Sequence, residues 1–238
     1  MRLPDAGQPW QGRLYPPENR AGPGDECFGV APLRLLLIGE STVSGVGVTA
    51  QQLALSGQLA AQLSTRIARP VSWQACGRNG ARAVDCLREL LPQVSEQPWD
   101  LVVVVLGVND TTHLTPRPIW RRQMRELIGA FTGSRVHVLV TAVPPLGLFR
   151  ALPQPLRAWF GLRAGLLDKD LSRLAPQLGA SHVAFDMPFE ADCLAEDGYH
   201  PSALGYSLWA SGLVAALDQS GRLSALSASA SAVRGEST

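Results

Sequence analysis

Leu101-Val102-Val103-Val104-Val105-Leu106 is an unbroken apolar run that stops at Gly107-Val108-Asn109-Asp110. So short a run, with no polar side, reads as a β-strand covered on both faces. Working outward, Leu33 to Ile38 is a second such run, ending at Gly39. Val71 to Cys76, Val136 to Val143 and the short Val183 to Phe185 supply three more. The intervals between them carry helical spacing instead. Leu55, Leu59, Leu63 and Ile67 recur every four residues, and Thr49 with Gln52 offers a capping box ahead of them. Val84, Leu87 and Leu91 form a second apolar face, and Trp120, Met124, Leu127, Ile128 and Phe131 a third. Leu167, Leu171, Leu174 and Leu178 form a fourth. Leu204, Leu208, Trp209 and Leu213 form a fifth, with Pro201 suited to its first turn.

Alternating strands and helices specify a parallel sheet with helices on both faces. The expectation is an α/β fold: a three-layer α/β/α sandwich around a roughly five-stranded parallel sheet, flavodoxin-like and doubly wound. Ligands of such sheets bind outside the carboxyl ends of the strands. Function is therefore expected just after Ile38, Cys76, Leu106, Val143 and Phe185.

The rest of the chain bounds what that function is. Of 238 residues, 46% are hydrophobic and 17% charged, enough apolar material for one sizeable core. The formal net charge of +1 argues against a nucleic-acid-binding surface. Cys27, Cys76, Cys86 and Cys193 form no CxxC pair, so neither a zinc site nor a disulfide framework is expected. No apolar leader follows Met1-Arg2-Leu3-Pro4-Asp5, and no run is long enough to span a bilayer. The expectation is a cytoplasmic protein without integral membrane association, with a monomer favoured. Residues 1–32, rich in Pro and Gly, read as an irregular arm. Residues 33–219 read as the folded domain, and 220–238, mostly Ser, Ala and Gly, as a disordered tail.

The strand ends carry polar chemistry. Gly39-Glu40-Ser41-Thr42 follows the first strand, Gly77-Arg78-Asn79-Gly80 the second and Gly107-Val108-Asn109-Asp110 the third. Asp197-Gly198-Tyr199-His200-Pro201 comes after the fifth. Singly, each has an ordinary reading as a turn or cap. Together they supply a hydroxyl, a backbone amide, a side-chain amide and an Asp/His pair, the components of acyl transfer.

In these four blocks the sequence resembles the SGNH hydrolase superfamily, also called GDSL-type esterases and lipases. That family is defined by blocks carrying Ser, Gly, Asn and His, in this order and near these spacings. The resemblance covers about residues 33 to 218. Glu40 stands where the commoner family form has Asp. Thr42 replaces the usual Leu-type residue, and Ala75 stands where others often have Asn. The resemblance implies Ser41 as nucleophile, His200 as base and Asp197 as its orienter. It also implies an oxyanion hole from the Ser41 N–H, the Gly80 N–H and the Asn109 side-chain amide.

The segment from Pro144 to Leu162 reads as a long loop packed over the core. Leu146, Phe149 and Trp159 within it are candidates for an apolar substrate pocket. Arg150, Arg157 and Arg163 are expected in solvent. His113 is assigned to a surface loop, His137 and His182 to structural positions, and Glu40 to hydrogen-bonding within the loop rather than to catalysis. The function expected is a serine esterase for small or medium acyl chains, taking a small-molecule ester and needing no cofactor or metal. A thioesterase, lysophospholipase, carbohydrate deacetylase or acyltransferase would use the same apparatus. The competing class is a non-catalytic α/β module with a small ligand at the same strand ends. A nucleotide site has less support, because Gly45-Val46-Gly47 does not complete a GxGxxG pattern.

Overall fold

The computed structural model describes residues 3–16, 30–133 and 136–228. Five parallel strands form the sheet: β2 (Leu33–Gly39), β3 (Val71–Gly77), β4 (Leu101–Val105), β5 (His137–Thr141) and β6 (Ser181–Val183). A sixth, β1 (Gln11–Leu14), pairs antiparallel with β3, giving the order β1-β3-β2-β4-β5-β6. The five parallel strands keep the flavodoxin-like order. The N-terminal arm is thus not wholly irregular: residues 11–14 form an edge strand, while 17–29 lie outside the described residues.

Strand residues divide between two cores by alternation. Leu33, Leu35 and Leu37 face α1 (Leu55–Ile67) and α6 (Ala203–Gln219), with Leu59, Leu63, Trp209 and Leu213. Leu36 and Ile38 face the other way, toward α4 (Arg117–Gly129) and α5 (Leu156–Gln177), with Trp120, Leu127, Leu167 and Leu171. Both faces are buried, which is why the central strands are apolar throughout. No helix among the described residues is long and apolar enough to cross a membrane.

Four local expectations are corrected. The helix after β2 starts at Leu55 behind Ala54, without a side-chain cap, so Thr49 and Gln52 form no capping box. Pro201 precedes α6 rather than entering it; Ser202 is the cap and accepts from the Gly205 amide at 3.2 Å. The loop expected over 144–162 gives way to α5 at Leu156. The tail expected to be disordered begins with α7 (Arg222–Ala228), which buries Leu223 and Leu226. Arg69 donates from Nη1 to the Leu226 carbonyl at 2.9 Å and fastens that helix down; residues 229–238 lie outside the described residues.

The chain runs from β2 to β3 on one side and then returns to place β4 on the other side of β2. The crevice at that reversal lies between the carboxyl ends of β2 and β4, the place where open α/β sheets bind ligands. Ser41 leaves one of those ends and Asn109 the other.

Candidate active site

Gly39 lets β2 end flush against its neighbour, since a Cβ there would lie 2.0 Å from the Val105 carbonyl oxygen. The chain then coils into a tight turn in which the amides of Val43 and Ser44 both donate to the Glu40 carbonyl. Ser41 heads this turn and is nearly buried. The turn is braced from behind: Gln51 Nε2 donates to the Ser44 carbonyl at 3.0 Å, and Tyr206 Oη, from α6, to the Val46 carbonyl at 2.7 Å.

The last block is ordered by one carboxylate. Asp197 Oδ1 accepts from the Tyr199 and His200 amides at 2.9 and 3.0 Å. Asp197 Oδ2 lies 2.7 Å from His200 Nδ1, and His200 Nε2 lies 3.0 Å from Ser41 Oγ. Burial would raise the Asp197 carboxyl, but hydrogen bonds from the His200 ring and from both amides outweigh it and hold the group below its ordinary value. An ionised carboxylate there fixes the imidazole with Nδ1–H toward Asp197, leaving Nε2 to accept the serine proton. The arrangement can therefore generate a serine alkoxide-like nucleophile and afterwards return the proton.

Gly80 sits in a turn with φ +83°, a left-handed conformation that favours glycine, and nothing crowds the position of a Cβ. Neither the Ser41 nor the Gly80 amide donates to another backbone group among the described residues. Asn109 lies in α3 (Val108–Thr112), directly after β4. The next residue, buried Asp110, accepts from the Ala83 amide at 2.9 Å and from Thr115 Oγ1 at 2.8 Å. Asp110 thereby ties α3 to α2 (Ala83–Asp85), the short helix that follows the Gly80 turn.

Glu40 has a larger part than sequence reasoning assigned to it. Its Oε1 accepts from the Val108 amide at 3.1 Å. Its Oε2 accepts from the Asn109 amide at 3.0 Å and from Asn109 Nδ2 at 2.6 Å. Burial pushes this carboxyl up to about 8, against the opposing pull of the Asn109 and Val108 hydrogen bonds. Only the departure of Glu40 from the family's Asp hinted at it in the sequence.

A narrow cavity of about 30 Å³ opens beside Ser41 and His200, walled by Val105, Leu106, Phe149, Phe185, Met187, Tyr199 and Trp209. Aromatic contacts hold the wall: Phe149 meets Tyr199 at 5.0 Å and Phe189 at 4.9 Å, and Phe185 meets Trp209 at 4.8 Å between centroids. Tyr199 also packs edge-on against the His200 ring at 5.3 Å. Of the expected pocket residues, Phe149 lines the cavity. Leu146 is buried in the core and Trp159 stands half exposed on α5, so neither does. Phe185, Met187, Tyr199 and Trp209 were missed because only the fold carries their two loops and helix to Ser41, far away in sequence.

The other polar expectations divide. His113 is exposed at the end of α3. His182 Nε2 pairs with Asp168 at 2.8 Å, a structural link from β6 to α5. Arg163, expected in solvent, instead donates to the carbonyls of Thr111 and Thr115 and pins α5 to the end of α3. Among the described residues no group of three or more His, Cys, Asp or Glu side chains is placed to hold a metal ion.

The family profile described as GDSL-like Lipase/Acylhydrolase matches residues 37–208, a span that holds Ser41, Gly80, Asn109, Asp197 and His200. The chain belongs to this family. A curated GDSL relative, the GDSL-like esterase Rv1075c of Mycobacterium tuberculosis, is 27% identical over 208 residues. The match takes in 78% of this chain and 62% of that relative, so this GDSL-family chain spans less than two thirds of the length of the relative it matches. Among solved structures, the lipase/acylhydrolase from Enterococcus faecalis aligns with TM-score 0.63 at 20% identity, covering 79% of this chain and 96% of that one. A carbohydrate acetylesterase family member from Sinorhizobium meliloti aligns with TM-score 0.60 at 20% identity, covering 79% and 98%. At these identities both share the GDSL-family fold.

Proposed function

We propose that this protein is a serine esterase that hydrolyses short-chain carboxylic esters through an acyl-enzyme on Ser41. The observation that carries this reading is the chain of hydrogen bonds from Asp197 through His200 to Ser41, at 2.7 and 3.0 Å, at the mouth of a narrow apolar cavity.

In the first step Ser41 Oγ attacks the ester carbonyl carbon while His200 Nε2 takes the hydroxyl proton. The carbonyl becomes an oxyanion, which accepts hydrogen bonds from the Ser41 amide, the Gly80 amide and the second N–H of Asn109 Nδ2. The first N–H of that amide is held by Glu40, which sets the direction of the other. Collapse of the intermediate expels the alcohol, which leaves with the proton from His200. Water then repeats the sequence on the acyl-enzyme, releasing the acid and restoring Ser41. No metal or cofactor enters these steps.

The cavity size supports a short acyl group. A single water needs about 10–15 Å³ on this measure, so a cavity of about 30 Å³ admits a tail of one or two carbons without displacing Phe149 or Trp209. Hydrolysis of p-nitrophenyl esters from acetate to palmitate, by the native protein and by Ser41→Ala, tests the reading. The expected outcome is activity falling steeply beyond propionate and absent in the variant. Equal rates in both proteins would refute it.

A further inference from the structure

Phe149 is held by its backbone and by its ring. It follows the short turn Leu146–Leu148, whose Leu146 is buried in the core. The Phe149 amide donates to the Leu146 carbonyl at 3.2 Å, and its own carbonyl accepts from the Leu152 amide at 3.1 Å. The turn sits flush on α5 because two glycines meet there: a Cβ on Gly161 would lie 2.7 Å from the Gly147 Cα. The ring, almost fully buried, packs against Tyr199 at 5.0 Å and Phe189 at 4.9 Å between centroids. A side chain fixed in this way is a wall rather than a flap.

Its two ring partners belong to different spaces. Tyr199, like Phe149 itself, walls the narrow cavity of about 30 Å³ beside Ser41. Phe189 walls an open groove of about 350 Å³, together with Leu148, Ala151, Leu194 and Ala195. Arg150, Glu196 and Asp197 are the groove's charged members, and Asp197 turns its carboxylate to His200. Both chain neighbours of Phe149, Leu148 and Arg150, line the groove, whereas Phe149 lines only the cavity. The Phe149 ring therefore stands where the two spaces come closest. Each methylene taken out of water stabilises a bound tail by a similar amount, provided there is room for it. The cavity has room for one or two carbons; the groove has room for a medium chain.

We propose that Phe149 sets the acyl-chain length: its ring closes the Ser41 cavity against the Leu148–Phe189 groove, and this partition confines the site to acetyl and propionyl esters. The proposal rests on the esterase reading above. Trimming the ring joins the two spaces, so that a longer tail passes Ser41 and continues into the groove.

The test reads the ratio of kcat/KM for p-nitrophenyl hexanoate to that for the propionate, which reports chain-length preference separately from overall rate. Phe149→Ala should raise this ratio roughly 50-fold, the effect of three more buried methylenes. Phe149→Leu should raise it less, and replaces the alanine variant if that one loses the native melting temperature. Adding Ala151→Trp to Phe149→Ala fills the groove and should return the ratio toward the wild-type value. Trp159→Ala, which lines neither space, should leave the ratio unchanged. A folded Phe149 variant with the wild-type ratio overturns the proposal, as does a gain that survives Ala151→Trp. So does a wild-type protein that cleaves hexanoate as well as propionate. Those results leave the esterase reading standing if acetate is cleaved through Ser41, whereas no cleavage of any ester by the wild type overturns both.

Discussion

Glu40 holds Asn109 by two hydrogen bonds to one oxygen, from the Asn109 backbone amide at 3.0 Å and from its side-chain amide at 2.6 Å. The residue before Ser41, the proposed nucleophile, thus aims the amide proposed to stabilise the oxyanion. Burial pushes the Glu40 carboxyl up to about 8, so at neutral pH it is largely uncharged. A neutral carboxyl can accept from Asn109 without placing a second negative charge beside the oxyanion.

The sign of the pH dependence follows. As pH rises through about 8, Glu40 ionises and opposes the developing oxyanion, so kcat falls on the alkaline side. Glu40→Gln, which keeps an acceptor and removes the ionisation, should hold kcat near the wild-type value at pH 7 and flatten that alkaline decline. Stability moves in the same direction. The folded-state value lies above the unfolded one, so the contribution is present at low pH and lost as pH rises through about 8. Melting temperatures across pH 6 to 9 should fall less in Glu40→Gln than in the wild type. An identical alkaline limb in both proteins would remove Glu40 from this role.

Asn109→Ala should lower kcat by about 10²–10³ with little change in KM, as loss of an oxyanion donor does. Glu40→Ala frees the same amide and should cost nearly as much. Because both act through one hydrogen bond, the double variant should be far less impaired than the product of the two losses. Full additivity, measured on p-nitrophenyl acetate, would show that Glu40 does not act through Asn109.

Asp197→Asn tests the orienting carboxylate. It leaves the loop amides an acceptor but takes the charge from beside His200, and kcat should drop by about 10³–10⁴. Circular dichroism and melting temperature serve as fold controls, because Asp197 Oδ1 also accepts from the Tyr199 and His200 amides.

The parallel strands were legible in the sequence because both their faces are buried, leaving the runs around Ile38 and Val104 uniformly apolar. β1 was not, since Gln11 to Leu14 alternates exposed and half-buried residues on a sheet edge. The start of α5 was hidden for the opposite reason. Leu156, Trp159 and Leu162 are apolar on the solvent side while Ala164 and Leu167 are apolar inside, which erases the one-faced pattern that reveals a helix. The five residues at the strand ends were legible by type and order. The cavity wall was not, because Phe149, Met187 and Trp209 read as ordinary core residues until the fold brings them beside Ser41.

The C-terminal helix gives a stability test. Leu226 is almost fully buried against the core that α1 and α6 share, and Leu226→Ala should cost about 2–3 kcal/mol. Urea unfolding followed by tryptophan fluorescence measures it. An unchanged midpoint would mean that residues 222–228 do not pack in solution.

The most direct test of the central claim is intact-mass and peptide mapping after brief exposure to a fluorophosphonate, which traps a serine activated by a neighbouring imidazole. One adduct per chain is predicted, located on Ser41, absent in Ser41→Ala and greatly slowed in His200→Ala. Labelling of another residue, or no labelling while ester hydrolysis persists in Ser41→Ala, would contradict the assignment of Ser41 as the nucleophile.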